Sequence, residues 1–511
     1  MIVPERTMTS SCHDLDQGHR NDLSWDTTTD EHVTTNKHEH EDAASLSSSS
    51  IENMPAELRL LVLLSMPDLP TLRSLIHASP VMHAQYQYYR DEILRTCLGR
   101  ELDGFFIDAY ATSQSRVREL GTRTDKAITD YLLQYKKGFQ DPVPILDIEA
   151  VDSDRLHWMA AFHLSIVRPL ACFFTNWAVT NLGESIPLSG SQQGASANEA
   201  LEMLSRKLEE SRLCGSNCTK RSRSEEIRIF QALYRFQTFQ HLFGRNHGGR
   251  EGGFRHHQIH ELFFSLFNPW EAEAVGCIDV FIRAKYEEIF NEAKADLDPK
   301  NEKFKQSNGV YNPEGSYDLE GEHDDYLDGT VSRGLKITKK LLVIDDHEKL
   351  VEKLARCLTP CANVDYPMRS VLGSLSQNDR RILDWDLDDE VPDDLKNYPN
   401  AHDDAEHRRD PIHFNGDTVP PNGPPFAWVA LWGGKYSNIY GEYVPESVRR
   451  WGYVMWDERR WIEMGVDAAF VAEQWRTSPD LIEEIDMDYD WRPEPVAAET
   501  IPLGSIEESA A

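Results

Sequence analysis

The stretch MPAELRLLVLLSMPDLPTLRSLIHASPVMHAQYQYYRDEILRTCLGRELD, residues 54–103, decides how this chain is read. Pro55 suits the opening of a helix, because the N–H it lacks would be unpaired there in any case. Leu58, Leu61, Val62, Ser65 and Met66 then recur at helical spacing, while Leu60, Leu63 and Leu64 form a second apolar side. A helix apolar on both sides has to be covered on both. Pro67 ends it, and a short second helix follows with Leu69, Leu72, Leu75 and Ile76. Ser79-Pro80 joins an N-cap residue to a first-turn proline, which predicts a third, longer helix that stops at Gly99. Three short helices cannot hide this much leucine among themselves, so either the rest of the chain or a partner covers it. At about 1.5–3 kcal/mol per fully buried large apolar side chain, a few such residues offset the cost of associating with a second protein.

The pattern resembles the F-box, whose leading signature runs Leu-Pro-x-Glu-Leu-x-x-x-Ile-Leu-x-x-Leu. It stands here as Met54-Pro55-Ala56-Glu57-Leu58, then Val62-Leu63 and Met66. Met54 takes the place of a leucine, and Val81-Met82 stand where a third-helix tryptophan is common. Two further segments, SLFNPWEAEAVGCID (residues 265–279) and YGEYVPESVRRWGYVMWD (residues 440–457), are similar to segments of fungal F-box-like proteins with a long helical C-terminal region. The resemblance implies a non-enzymatic substrate-recognition subunit of an SCF-type ubiquitin ligase. Its partners would be a Skp-type adaptor, through it a cullin, and a protein substrate to be degraded. The implied adaptor-binding residues are Pro55, Glu57, Leu58, Leu61, Val62, Leu63, Met66, Leu69, Leu72 and Ile76. The alternative is a helical scaffold whose F-box helices are internal core with no ligase role. The implied chemistry resides in other subunits, so neither catalytic residue nor cofactor is expected.

Outward from this module, the pattern predicts a mainly α chain. Residues 1–50 are polar, end in a serine run and read as a disordered arm. After the module at 51–100, residues 101–295 read as a helical domain. Within it, Trp158–Val179 is expected as a buried helix, since His163, Arg168 and Pro169 interrupt it as a membrane span. Ser222 and Glu225 have capping-box spacing, Gly244 suits the end of that helix, and a break near Pro269 divides residues 256–290 into two helices. Residues 296–335 read as an acidic linker or loop. Residues 336–475 read as a C-terminal helical region, with a Pro-rich loop at 384–425 and a short strand at Lys340–Ile344. Residues 476–511 form an acidic tail.

The net charge of −33 disfavours nucleic acid and anionic membranes as partners. Eight cysteines in 511 residues are too few for a disulfide scaffold, and the opening residues lack the basic start and apolar run of a signal peptide, so a cytoplasmic or nuclear setting is expected. His256 and His260 have the i, i+4 spacing of zinc ligands, with His257 between them, but the order is not His-Glu-x-x-His; polar surface or core histidines are the simpler reading. Cys214 and Cys218, and Cys357 and Cys361, read as ordinary thiols rather than two halves of a zinc site. Asp486, Asp488 and Asp490 lack the glycine and glutamate of a calcium loop. After Pro445, Val448, Trp451, Met455 and Ile462 fall on one helical face, and Phe426, Trp428 and Trp432 form a similar aromatic group. Both are expected mainly as core, with any exposed remainder a candidate recognition surface.

Overall fold

The structure, a computed structural model, describes residues 51–140, 148–186, 219–244, 250–251, 253–254, 256–304, 315–361, 368–373, 412–418, 423–432 and 444–476. The fold is mainly α. In chain order the first helices are α1 (Ala56–Leu64), α2 (Leu69–Ala78), α3 (Pro80–Tyr88), α4 (Arg90–Glu101), α5 (Phe106–Gln114), α6 (Asp125–Gln140), α7 (Ser153–Phe162) and α8 (Arg168–Ser185). Then come α9 (Arg223–Phe243), α10 (His256–Phe263), α11 (Pro269–Leu297), α12 (His323–Val331), α13 (Leu335–Leu342), α14 (His347–Cys357) and α15 (Met368–Gly373). The last are α16 (Phe426–Trp432), α17 (Glu446–Arg450), α18 (Glu458–Glu463) and α19 (Ala468–Arg476). Arg123–Thr124 and Arg250–Glu251 form a parallel pair of two-residue strands.

The contacts divide the chain into two units, Met1–Asp103 with Leu146–Ile166, and Gly104–Ile145 with Val167–Ala511. This differs from the expected boundaries in two ways. The module expected at residues 51–100 is joined by α7, which returns to pack on α4 and supplies Leu156 and Met159 to the same core as Leu94 and Leu98. Residues 104–145 and 167–295, most of the first expected helical domain, share one unit with 336–475, expected as a separate region.

In the smaller unit, α1 to α3 start where the sequence places them. The Ser79 hydroxyl accepts from the Met82 N–H at 3.2 Å, with Pro80 in the first turn of α3. Asp68 caps α2 through the Thr71 N–H at 2.8 Å. The predicted long third helix is instead broken at Tyr89, which closes α3 and opens α4. Tyr86, Tyr88 and Tyr89 are weak helix formers, and Asp91 and Glu92 favour a new N-terminus just after them. Gly99 is not a stop, since α4 runs through it to Glu101. Glu101 is buried; its carboxylate accepts from the Leu69 N–H at 2.7 Å and lies 3.1 Å from His163 Nε2, which ties the start of α2 to the returning segment. Asp91 is a second tie. Burial pushes its carboxyl up, but hydrogen bonds from Ser153 and His157 outweigh this and hold it below the usual range.

In the larger unit α9 and α11 pack against each other, and both are buried on nearly every side. The predicted capping box opens α9: the Glu225 N–H donates to Ser222 Oγ at 3.2 Å and the Ser222 N–H to the Glu225 carboxylate at 3.0 Å. Gly244 ends that helix, and Pro269 opens α11 as a helix separate from α10. Such thorough burial leaves charges inside. Arg235 Nε lies 2.8 Å from Asp108 and its Nη1 2.9 Å from Glu271. Arg449 makes a two-pronged contact with Glu273, 2.9 Å on each prong.

Three expectations change here. The stretch 296–335 is not simply a linker: α11 extends into it, and it carries α12 with Leu327 and Val331 buried. Lys340–Ile344 is not a strand. Its first residues end α13, whose Leu335, Thr338 and Leu341 are buried at spacings of three, a helical period. Val448, Trp451, Met455 and Ile462 do not share one helix. Gly452, with φ +63°, turns the chain between α17 and α18, so the first three are buried and Ile462 is 61 % exposed. Residues 1–50, most of the Pro-rich loop, the tail beyond 476, Cys214, Cys218 and the Asp486–Asp490 run lie outside the described residues.

Candidate functional site

The implied adaptor-binding residues fall into three sets by burial. Pro55, Glu57, Leu58 and Leu61 are exposed, the two leucines by 44 % and 60 %. Val62 and Met66 are half-buried. Leu63, Leu69, Leu72 and Ile76 are core of the smaller unit. The division follows from geometry: residues three apart, such as 58 and 61, share one face of α1, and Leu63 faces the other helices of the unit.

Beside this face a groove of about 500 Å3 runs between α1 and α3, lined by Ala56, Arg59, Val81, Ala84, Gln85 and Tyr88 among others. Tyr88 is 81 % exposed, and its ring meets that of Tyr89 edge to face with centroids 4.7 Å apart. Arg59 holds the floor together. Its Nε donates to Gln85 Oε1 at 3.0 Å and its Nη1 to the Glu52 and Met54 carbonyls, each at 2.9 Å. Gln85 returns a bond to the Ala56 carbonyl at 2.6 Å, and the Ser79 hydroxyl donates to the Glu52 carboxylate at 2.5 Å. The groove is therefore built on a hydrogen-bonded frame and walled by apolar and aromatic carbon. Tyr88, Val81, Ala84 and Gln85 were missed as candidates from the sequence. The usable signal was Ala84 and Tyr88 four apart, opposite the buried Met82 and Tyr86.

Of the other candidates, only some fall within the described residues. His260 is buried and stacks on Phe264 with ring centroids 5.6 Å apart, and His256 is half-buried. Among the described residues no three His, Cys, Asp or Glu side chains assemble as metal ligands. Cys357 is buried and Cys361 half-buried. Phe426, Trp428 and Trp432 are buried. The cavity beside Trp270 in the larger unit measures about 10 Å3, room for about one water and too small for a substrate. One helical run, Ser153–Ser185, has the length and hydropathy to cross a membrane, and 61 % of its apolar window is buried in the protein.

No family model, curated protein or solved structure matches this chain.

Proposed function

We propose that this chain is an F-box protein, the substrate-recognition subunit of an SCF-type ubiquitin ligase. The exposed face of α1 docks a Skp-type adaptor, and through it a cullin, while the larger unit recruits a protein substrate. The observation that carries the reading is the pair Leu58 and Leu61, left in solvent on a nine-residue helix that begins with the Pro55-Ala56-Glu57-Leu58 signature. Buried Leu63, Leu69, Leu72 and Ile76 support it in another way, by fixing α1 against its neighbours so that the leucine face is presented rigidly. The same burial also favours the second reading, a scaffold in which these helices serve only the chain's own core.

Adaptor binding by the full chain separates the two. Leu58→Asp with Leu61→Asp is expected to lower affinity for a Skp-type adaptor by at least about tenfold, since each leucine buried in a complex contributes on the order of 1 kcal/mol or more. The double variant should keep its helicity and unfolding midpoint, because both side chains already face water. Leu63→Asp is unsuitable for this purpose, since it places a charge in the core. A folded wild-type chain that does not bind the adaptor rejects the ligase role and leaves the scaffold.

A further inference from the structure

His347 opens α14 and reaches across to α11. Its Nδ1 lies 3.0 Å from the Glu292 carboxylate and its Nε2 2.9 Å from that of Asp296. Glu292 and Asp296 are four residues apart on α11, so they stand on one face and grip the ring from both ends. A neutral imidazole has one N–H and one lone pair, and the lone pair would have to face a carboxylate. Only the imidazolium, with two N–H groups, satisfies both partners. The arrangement selects a protonation state by geometry alone.

The charged groups next to His347 in sequence are acidic. Asp345, Asp346 and Glu348 flank His347 in sequence, and Asp346 already accepts the Lys349 N–H at 2.9 Å. The N-terminal end of α14 itself disfavours a cation through the helix dipole. The hydrogen bonds to Glu292 and Asp296, aided by the charges of the same two carboxylates, outweigh the loss of hydration and raise the His347 pKa above its ordinary value.

We propose that His347 is a proton-dependent clamp that holds the start of α14 against α11 and relaxes as the pH rises. What it restrains is the helix carrying the buried Leu350, Leu354 and Cys357, so relaxing the clamp increases the frequency with which that apolar face opens to water. The sign follows from linkage. Because the folded-state pKa is raised, the clamp acts fully below the ordinary histidine value of about 6.5 and is lost as the pH rises through the folded value. The inference is independent of the docking proposal.

Histidine ring NMR on the full chain, with His347→Gln to assign the signal, reads the proton directly, and amide exchange across residues 347–357 with intrinsic rates divided out reads the opening. The signal missing in His347→Gln should titrate above the ordinary value, and should return to it in Glu292→Gln with Asp296→Asn. Protection of α14 should fall about two- to fivefold across that titration in wild type, the range of a solvent-screened ion pair, and stay flat in His347→Gln. A His347 that titrates at or below the ordinary value overturns the clamp. So does a pH-dependent loss of protection that persists in His347→Gln.

Discussion

Replacing Arg235 by methionine should destabilise the larger unit by about 3–5 kcal/mol, the cost of removing one partner from a buried ion pair. Arg235 and Asp108 each keep only 2 % of their side-chain surface in solvent. The Asp108 carboxylate accepts from Arg235 at 2.8 Å and from the Tyr135 hydroxyl. Arg235 also reaches Glu271 at 2.9 Å and lies over the Phe267 ring, 4.2 Å from its centroid. Burial already pushes the Asp108 carboxyl above its ordinary range, and the guanidinium is the main opposing influence. Methionine keeps the packing on Phe267 and removes the charge, leaving Asp108 to protonate inside the fold.

The pH dependence gives this prediction its signature. In the variant the folded pKa of Asp108 rises further above its unfolded value. The folded state then binds a proton that the unfolded state has already released, so stability falls as pH rises above about 4. The deficit relative to wild type should be smaller near pH 4.5 than at pH 7.5. Adding Asp108→Asn should recover part of the loss at neutral pH, because a neutral amide is less costly to bury than an unpaired carboxylate. Denaturant midpoints at the two pH values test this. A deficit under about 1 kcal/mol at pH 7.5, or one that does not change with pH, removes the claim that this pair anchors α5 to α9.

Gly329→Ala should cost about 3 kcal/mol or more, a large value for the addition of a single methyl group. Gly329 lies in α12, where the chain 359–361 crosses at backbone contact. A Cβ there would sit 2.0 Å from the Thr359 carbonyl oxygen, 2.6 Å from the Pro360 carbonyl carbon and 2.7 Å from the Cys361 nitrogen. All three are main-chain atoms, so no rotamer change relieves the clash. Moving the segment aside also strains the Cys361 N–H bond to the Asp325 carbonyl, now 2.8 Å. Gly183, helical and with nothing within 4 Å of its would-be Cβ, is the control. Its alanine variant should be neutral or stabilised by up to about 1 kcal/mol. Equal midpoints for Gly329→Ala and Gly183→Ala would show that the crossing at Gly329 is not as close as described.

Local chemistry was legible from the sequence because its causes lie within a few residues. The Ser79-Pro80 start, the Ser222–Glu225 box and the opening of α11 at Pro269 each pair a side chain or ring with a backbone group at most three residues away. The mainly α class follows from the same periodicity. Composition misled where burial overrode it. The acidic stretch around 323–331 looks like a linker, yet Leu327 and Val331 are enough to seat a helix against α11.

The candidate site shows the same division. Residues 54–66 determine that a leucine-rich helix forms and that it cannot be covered by its own turns. They do not determine which leucines remain outside, because Leu58, Leu61 and Leu63 are chemically alike. That choice belongs to tertiary structure. Burying Leu63 needs the side chains of the neighbouring helices, and completing that core needs α7, which returns from some fifty residues beyond α4. Contacts at such separation leave no periodic trace in the sequence. The sequence by itself determined the mainly α class and the apolar excess of α1; only the packed chain decided that Leu58 and Leu61 face water while Leu63 does not.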